Sequence, residues 1–295
     1  KENPSTYARN INDLKKLNSD RKSFLLKLKL PPQIFKNTEL IDFGCGTGQN
    51  TILYDNLGSN CTLLEYDRAS YQSCLRLFKK YAINKFKVHN VDIFKYKIKS
   101  SKFDFVVSNG VAHHTENPRK NIEICCKATK KGGFFILGIG NKAGFFQRNL
   151  QRLILYNICK DESEIIKYSK ILFKENLSRA VKYSGRSINE IIYDTYLNPK
   201  IESFSTKDIV NIFNRNGLSL YSSYQDVKSV TNFFEPNSEQ FKIKKKINQN
   251  YDILKKDTYL SDIQDLTISN NKAFNSKTYS ELNKVSKRLN ELADR

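Results

Sequence analysis

Between residues 38 and 140 the chain alternates short apolar runs with amphipathic stretches, and the first run, ELIDF (39–43), leads straight into a glycine loop, GCGTG (44–48). This arrangement narrows the fold more than any other feature. Five runs read as strands: ELIDF, CTLLEY (61–66), KFKVHNV (85–91), FDFVVSN (103–109) and FFILGIG (134–140). Helical periodicity fills the gaps: from Gly48 onward, over 69–82, and over 118–131, where Gly132-Gly133 reads as a stop. Strands alternating with helices imply right-handed crossovers and a Rossmann-like, doubly wound α/β sheet.

Outside that region the pattern changes. Residues 5–29 read as amphipathic helix, broken by Pro31 and Pro32. Residues 141–200 look helical and basic. A helix over 205–217, with a Ser N-cap and a closing Gly, then leads to an expected strand at 218–225. The organisation expected is a helical N-terminal lead (1–36), a core (37–140 and 203–225), a helical cap insertion (141–202) and a basic, helical tail (226–295).

Three glycines at alternate positions let backbone approach a ligand where a side chain would block it. They sit in the first turn of a doubly wound sheet, beside the crevice where such sheets bind ligands. The helix that follows is expected to offer unpaired N–H groups to an anion. The spacing separates the options. A dinucleotide fingerprint needs its third glycine one residue later, where Gln49 stands, and a Walker loop needs a lysine that is missing.

The stretch DFGCGTG (42–48) resembles motif I of the class I S-adenosylmethionine-dependent methyltransferases. Other motifs follow in that family's order: an acidic residue after the second strand (Glu65, with Asp67 as the alternative), NVDIF (90–94), FDFVVSNGVAHHTENP and ATKKGGFFILGI. The resemblance covers 38–140, with weaker support at 205–225. It implies a mostly parallel seven-stranded sheet and S-adenosyl-L-methionine as cofactor. It places Asp42, Gly44, Cys45, Gly46, Gly48, Glu65, Asp67, Asp92, Ile93 and Asn109 around that cofactor. Asp42 would meet the methionine ammonium, the loop N–H groups its carboxylate, Glu65 the ribose hydroxyls and Asp92 the adenine amine. LGIGNKAGFFQRNLQR and YDTYLNPKIESFSTKDI are similar to a bacterial methyltransferase subgroup of unassigned substrate. The chain departs from that subgroup at Ala143-Gly144-Phe145 and at Ala112.

Candidates for chemistry are few. His113 and His114 follow the fourth strand, as a general base or as groups that shape the pocket. His89 is read as structural. Asp194, Tyr196 and Pro199 read either as substrate contacts or as a turn fixing the cap. Arg148, Arg152 and Tyr156 share one helix face by their spacing of four, and Arg148 is the candidate for an anionic substrate. After Asn109 the chain reads Asn-Gly-Val-Ala, without the Pro-Pro-Tyr that amine methyltransferases of this fold use, which counts against a base-amine acceptor.

Composition sets the remaining expectations. Six cysteines without a CxxC pair argue against zinc and disulfides. No apolar run is long enough to span a membrane and the first residues lack a secretory h-region, so a cytoplasmic protein is expected. The sequence has no methionine, and its ends are left open. The net charge of +20 is concentrated in the first half and makes RNA the rival partner. A small-molecule acceptor is the leading reading, RNA methylation the alternative, and a catalytically silent cofactor-binding module the third. Oligomeric state is not read from the sequence.

Overall fold

The computed structural model describes residues 8, 10–98, 101–142, 144–198, 200–223, 284 and 288. They fall into two compact units, Lys1–Ile139 with Asp161–Lys200, and Gly140–Lys160 with Ile201–Arg295.

The first unit is built on five parallel strands: β1 (Thr38–Phe43), β2 (Ser59–Glu65), β3 (Phe86–Asn90), β4 (Phe103–Asn109) and β5 (Thr129–Gly138), in the order β3-β2-β1-β4-β5. The order reverses between β1 and β4, which makes their carboxyl ends the switch point of the sheet. Both faces are covered, as parallel sheets require. On one face Leu40, Leu63, Phe105 and Val107 pack with Phe35, with Leu14 and Leu25 of α1 (Ile11–Lys27), and with Cys74 and Phe78 of α3 (Arg68–Tyr81). On the other face Ile41, Phe43, Leu64 and Val106 pack with Cys125 and Ala128 of α4 (Pro118–Ala128). Asn10 caps α1 and Asp67 caps α3 through their side chains, so these helix starts are written in the sequence.

Several expectations need correction. The sheet has five strands among the described residues, not seven, and Leu218–Ser223 form no strand. The helix expected from Gly48 is α2 (Ile52–Asn56), five residues long. α4 ends at Ala128, and Gly132-Gly133 do not stop it. They lie within β5, where Gly132 has φ +79° and the β4–β5 pairing is irregular beyond Phe103. Within the helical 141–200 stretch, α6 (Glu162–Leu172) and α7 (Lys174–Ser184) break at Phe173 with no Gly or Pro to signal it. α8 (Ile188–Ile192) follows, with a Ser187–Glu190 capping box, and runs on into a π turn over Tyr193–Leu197.

In the second unit, α5 (Phe146–Ile158) and α9 (Thr206–Arg215) are joined by a parallel bridge between Asn141 and Phe204. Ser205 and Asp208 form a capping box that starts α9. The helices expected as one cap therefore divide, with α5 in this unit and α6 to α8 in the first. Among the described residues no helix is long and apolar enough to cross a membrane. The 226–295 tail lies outside the described residues, apart from Lys284 and Arg288, and Pro199 and Ala143 also lie outside them.

Candidate functional site

The carboxyl ends of β1, β2, β3 and β4 bring most of the expected site residues together, all within the first unit. The glycine loop leaves β1 after Phe43 and is fastened to β2: the Gly44 and Cys45 N–H groups both donate to Leu64 O, at 2.8 and 3.0 Å. Gly46 N–H donates to Glu65 Oε2 at 2.8 Å, and Asp67 N–H donates to Glu65 Oε1 at 2.8 Å. Gly48 N–H closes a turn onto Cys45 O at 3.0 Å. The amides of Gly44, Cys45, Gly46 and Gly48 are thus each bonded to the chain's own acceptors. The expectation that these N–H groups would hold a carboxylate does not fit them. The five residues of α2 are also too few for a helix-dipole argument.

The three glycines differ in what surrounds them. A Cβ on Gly44 would come within 2.6 Å of Val111, and one on Gly48 within 2.7 Å of Cys74 Sγ; for Gly46, φ +57°, nothing lies within 4 Å. Two glycines are needed for the chain to pack on itself, whereas Gly46 alone faces open space.

Asp42 is buried one residue before the end of β1. Burial pushes its carboxyl up to about 7, the Glu65 charge adds to the rise, and the hydrogen bond from the Thr51 hydroxyl opposes it. Glu65, also buried, ends β2 with both oxygens turned to backbone N–H groups. Asp67 accepts from Ser70 N–H at 2.7 Å and serves as the cap of α3. Asp92, half-buried after β3, accepts from Phe94 N–H at 2.9 Å, while Ile93 packs into the core beside Phe43 and Leu64. Asn109 ends β4 exposed, its Oδ1 lying where a Cβ on Gly138 would be, 2.0 Å from that position. Cys45 Sγ sits 3.7 Å from Cys74 Sγ; that contact and burial hold the Cys45 thiol protonated.

Two residues at this end of the sheet had no role in the sequence reading. Asn90 Nδ2 donates to Glu65 O at 2.9 Å and Tyr66 O at 2.8 Å, fixing the turn that carries Glu65. The Gln49 side chain brackets Ala8, donating to its carbonyl at 2.7 Å and accepting from its N–H at 3.0 Å. Only the glutamine standing where a dinucleotide loop has glycine hinted at this.

Beyond β4, a short 3₁₀ turn (Ala112–His114) carries the histidine pair, ring centroids 4.1 Å apart. His113 is buried. His114 Nδ1 lies 3.0 Å from Lys200 O and Nε2 lies 3.7 Å from Asp194 Oδ1. Asp194 therefore meets a histidine, and its second oxygen accepts from Arg186 at 3.0 Å. Tyr196, expected as a substrate contact, is 1% exposed and packs its ring 5.8 Å from that of Phe173.

Arg148 belongs to the other unit, where its guanidinium lies 4.4 Å from the Phe145 ring centroid. Arg152 is 2% exposed, its guanidinium 5.3 Å from the Tyr156 ring centroid. Of the expected shared face, Arg152 is buried, Arg148 half-buried and Tyr156 exposed.

Residues 41–137 match the family model of the methyltransferase domain. The motif resemblance holds across that segment. Among solved structures, PKMT2 from Rickettsia typhi is similar over 82% of this chain and 50% of its own, at 14% identity and a TM-score of 0.55. An S-adenosylmethionine-dependent methyltransferase from Mesorhizobium loti is similar over 44% of this chain and 57% of its own, at 17% identity and a TM-score of 0.37. The matched region spans about half the length of these proteins, and the likeness to PKMT2 is one of fold.

Proposed function

We propose that the methyltransferase domain binds S-adenosyl-L-methionine and transfers its methyl group to a small-molecule acceptor. The observation that carries the reading is Glu65 beside Gly46: a buried carboxylate at the end of β2, bonded to the one loop glycine with nothing within 4 Å of a Cβ built on it. Such a pair suits a vicinal diol, which offers two O–H donors and needs close backbone approach. When bound, the cofactor supplies a methyl group already activated on a sulfonium.

The residues fit that group as follows. Glu65 accepts from the ribose hydroxyls. Asp42 faces the ammonium, and Asp92 the adenine amine, with Ile93 shaping the floor from the core side. Asn109 stands at the end of β4, on the acceptor side. The protein's part is to bind, orient and exclude water, so that positioning supplies much of the rate. His114 is the side chain placed to take a proton from an O–H or N–H acceptor. A small acceptor is favoured by Asn-Gly-Val-Ala at 109–112, which lacks the clamp for a base amine.

The net charge of +20 favours RNA as the second reading. Incubating the protein with methyl-labelled S-adenosylmethionine and a fractionated extract tests both. Label in the small-molecule pool is the expected result. Label in a nuclease-sensitive pool replaces it with the RNA reading, and cofactor binding without transfer to any pool leaves a silent binding module.

A further inference from the structure

Arg186, Asp194 and His114 form a chain of contacts that no sequence motif joins, since His114 follows the fourth strand and the other two belong to the α7–α8 region. We infer that Asp194 and Arg186 are positioning residues for His114: they fix its ring so that Nδ1 carries the hydrogen and Nε2 is the atom that takes a proton. This rests on the methyl-transfer reading above.

The assignment starts from Lys200 O. A carbonyl oxygen only accepts, so the His114 nitrogen 3.0 Å from it must donate. Nδ1 therefore holds the hydrogen, and in the neutral ring the lone pair is on Nε2. That atom faces Asp194 Oδ1 at 3.7 Å, too far for a hydrogen bond and close enough to attract an N–H that forms there. The proton released by an O–H or N–H acceptor passes to the Nε2 lone pair as the acceptor exchanges its hydrogen for a methyl group. The imidazolium then donates from Nδ1 to Lys200 O, and the Asp194 carboxylate, 3.7 Å from Nε2, stabilises its charge.

Arg186 keeps Asp194 in that position. Its side chain is 11% exposed; Nη1 donates to Asp194 Oδ2 at 3.0 Å and Nη2 to Glu190 O at 3.1 Å. The fork engages Asp194 Oδ2, and Oδ1 is the oxygen nearest His114. It also balances the half-buried carboxylate while the histidine is neutral. The backbone supports the same role. Asp194 lies in the π turn, a rare conformation that recurs at functional sites. The His113 ring, tilted by 50° with its centroid 4.1 Å from that of His114, packs against the same imidazole.

The chain has three histidines, so ring nitrogens can be followed one by one in ¹⁵N-histidine-labelled full-length protein by NMR. The neutral ring of wild-type His114 should be the Nδ1–H form, and its protonated form should show both ring N–H signals protected from exchange. Asp194→Asn should leave Nδ1–H protected and make Nε2–H exchange up to about fivefold faster, the scale of a lost, partly exposed ion pair. Arg186→Met should act in the same direction, and Arg186→Lys should restore much of the protection. Because Arg186→Met takes the guanidinium from the half-buried Asp194 carboxylate, the double variant Arg186→Met/Asp194→Leu removes both charges and should fold like wild type while still losing Nε2–H protection. An Nε2–H tautomer in the wild type, or signals indifferent to every variant, overturns the inference. Calorimetry with S-adenosylhomocysteine on the wild type separates the two claims: no binding refutes the cofactor reading and leaves the ring result standing.

Discussion

Glu65 Oε2 accepts the Gly46 N–H at 2.8 Å, so the acidic end of β2 and the middle glycine of the β1 loop are one unit. On the proposed reading this residue acts twice, holding the loop and accepting from the cofactor. Glu65→Ala should therefore weaken S-adenosylhomocysteine binding by more than one lost bond, roughly 2–4 kcal/mol given 1.5–3 for each bond to a charged group. Glu65→Gln, which keeps one acceptor oxygen, should lose less. Calorimetric titration of both variants checks this. Equal losses for Ala and Gln would mean that charge, not acceptor geometry, is what the site uses.

The glycine contrast makes a second prediction. Gly46→Ala directs a methyl group into open space, at a φ of +57° that costs a side chain about 1–2 kcal/mol. It should lower the melting temperature slightly and abolish cofactor binding. Gly48→Ala drives its methyl into Cys74 Sγ, 2.7 Å away. It should destabilise the fold by roughly 1–3 kcal/mol through overpacking, with less effect on binding by the protein that remains folded. Thermal melts paired with titrations read the two effects separately.

Asp42 gives a pH signature. Its carboxyl stands at about 7, above the ordinary 3.8, mainly because it is buried. The fold therefore holds this proton more tightly than the unfolded chain does. That contribution to stability is complete below the ordinary value and is lost as pH rises through about 7. Asp42→Asn should make the protein without cofactor more stable in mildly alkaline buffer and leave it little changed in acid. Binding runs the other way, because an ammonium pairs with the carboxylate. Affinity for S-adenosylhomocysteine should rise as pH approaches 7, then fall in alkaline buffer as the ligand's ammonium deprotonates. Titrations in buffers of different ionisation enthalpy should show proton release near neutral pH, and Asp42→Asn should remove the rising limb.

Much of this was legible because buried parallel strands announce themselves as apolar runs. β1 to β4 fell within two residues of where the sequence put them, and Asn10, Asp67 and Ser205 cap helices as their chemistry allows. The errors came where one residue type serves two geometries. Gly132-Gly133 suits a helix stop, yet Thr129 already pairs with Phe103, and the glycines let the ladder slip: a Cβ on Gly133 would stand 2.7 Å from Asp104 O. The break at Phe173 has no helix-breaking residue at all. Contacts between distant segments left no local trace either. Asp194 carries no mark that it meets His114, nor Gln49 that it holds Ala8.

Tyr196 is the residue for which the sequence expectation and the packing diverge most, and that divergence can be measured. It was expected to touch substrate, yet its ring is buried against Phe173 where α6, α7, α8 and the π turn converge. A large core aromatic cut to alanine costs about 3–5 kcal/mol. Tyr196→Ala should therefore loosen α6 to α8, with faster amide exchange across 162–197, and leave β1 to β4 protected. If α6 to α8 instead keep their protection while labelled-methyl transfer is lost, the ring belongs to the substrate site after all. Since Asp194 sits in the same π turn, the loosened variant should also lose the His114 Nε2–H signal, linking this packing to the proton-accepting atom.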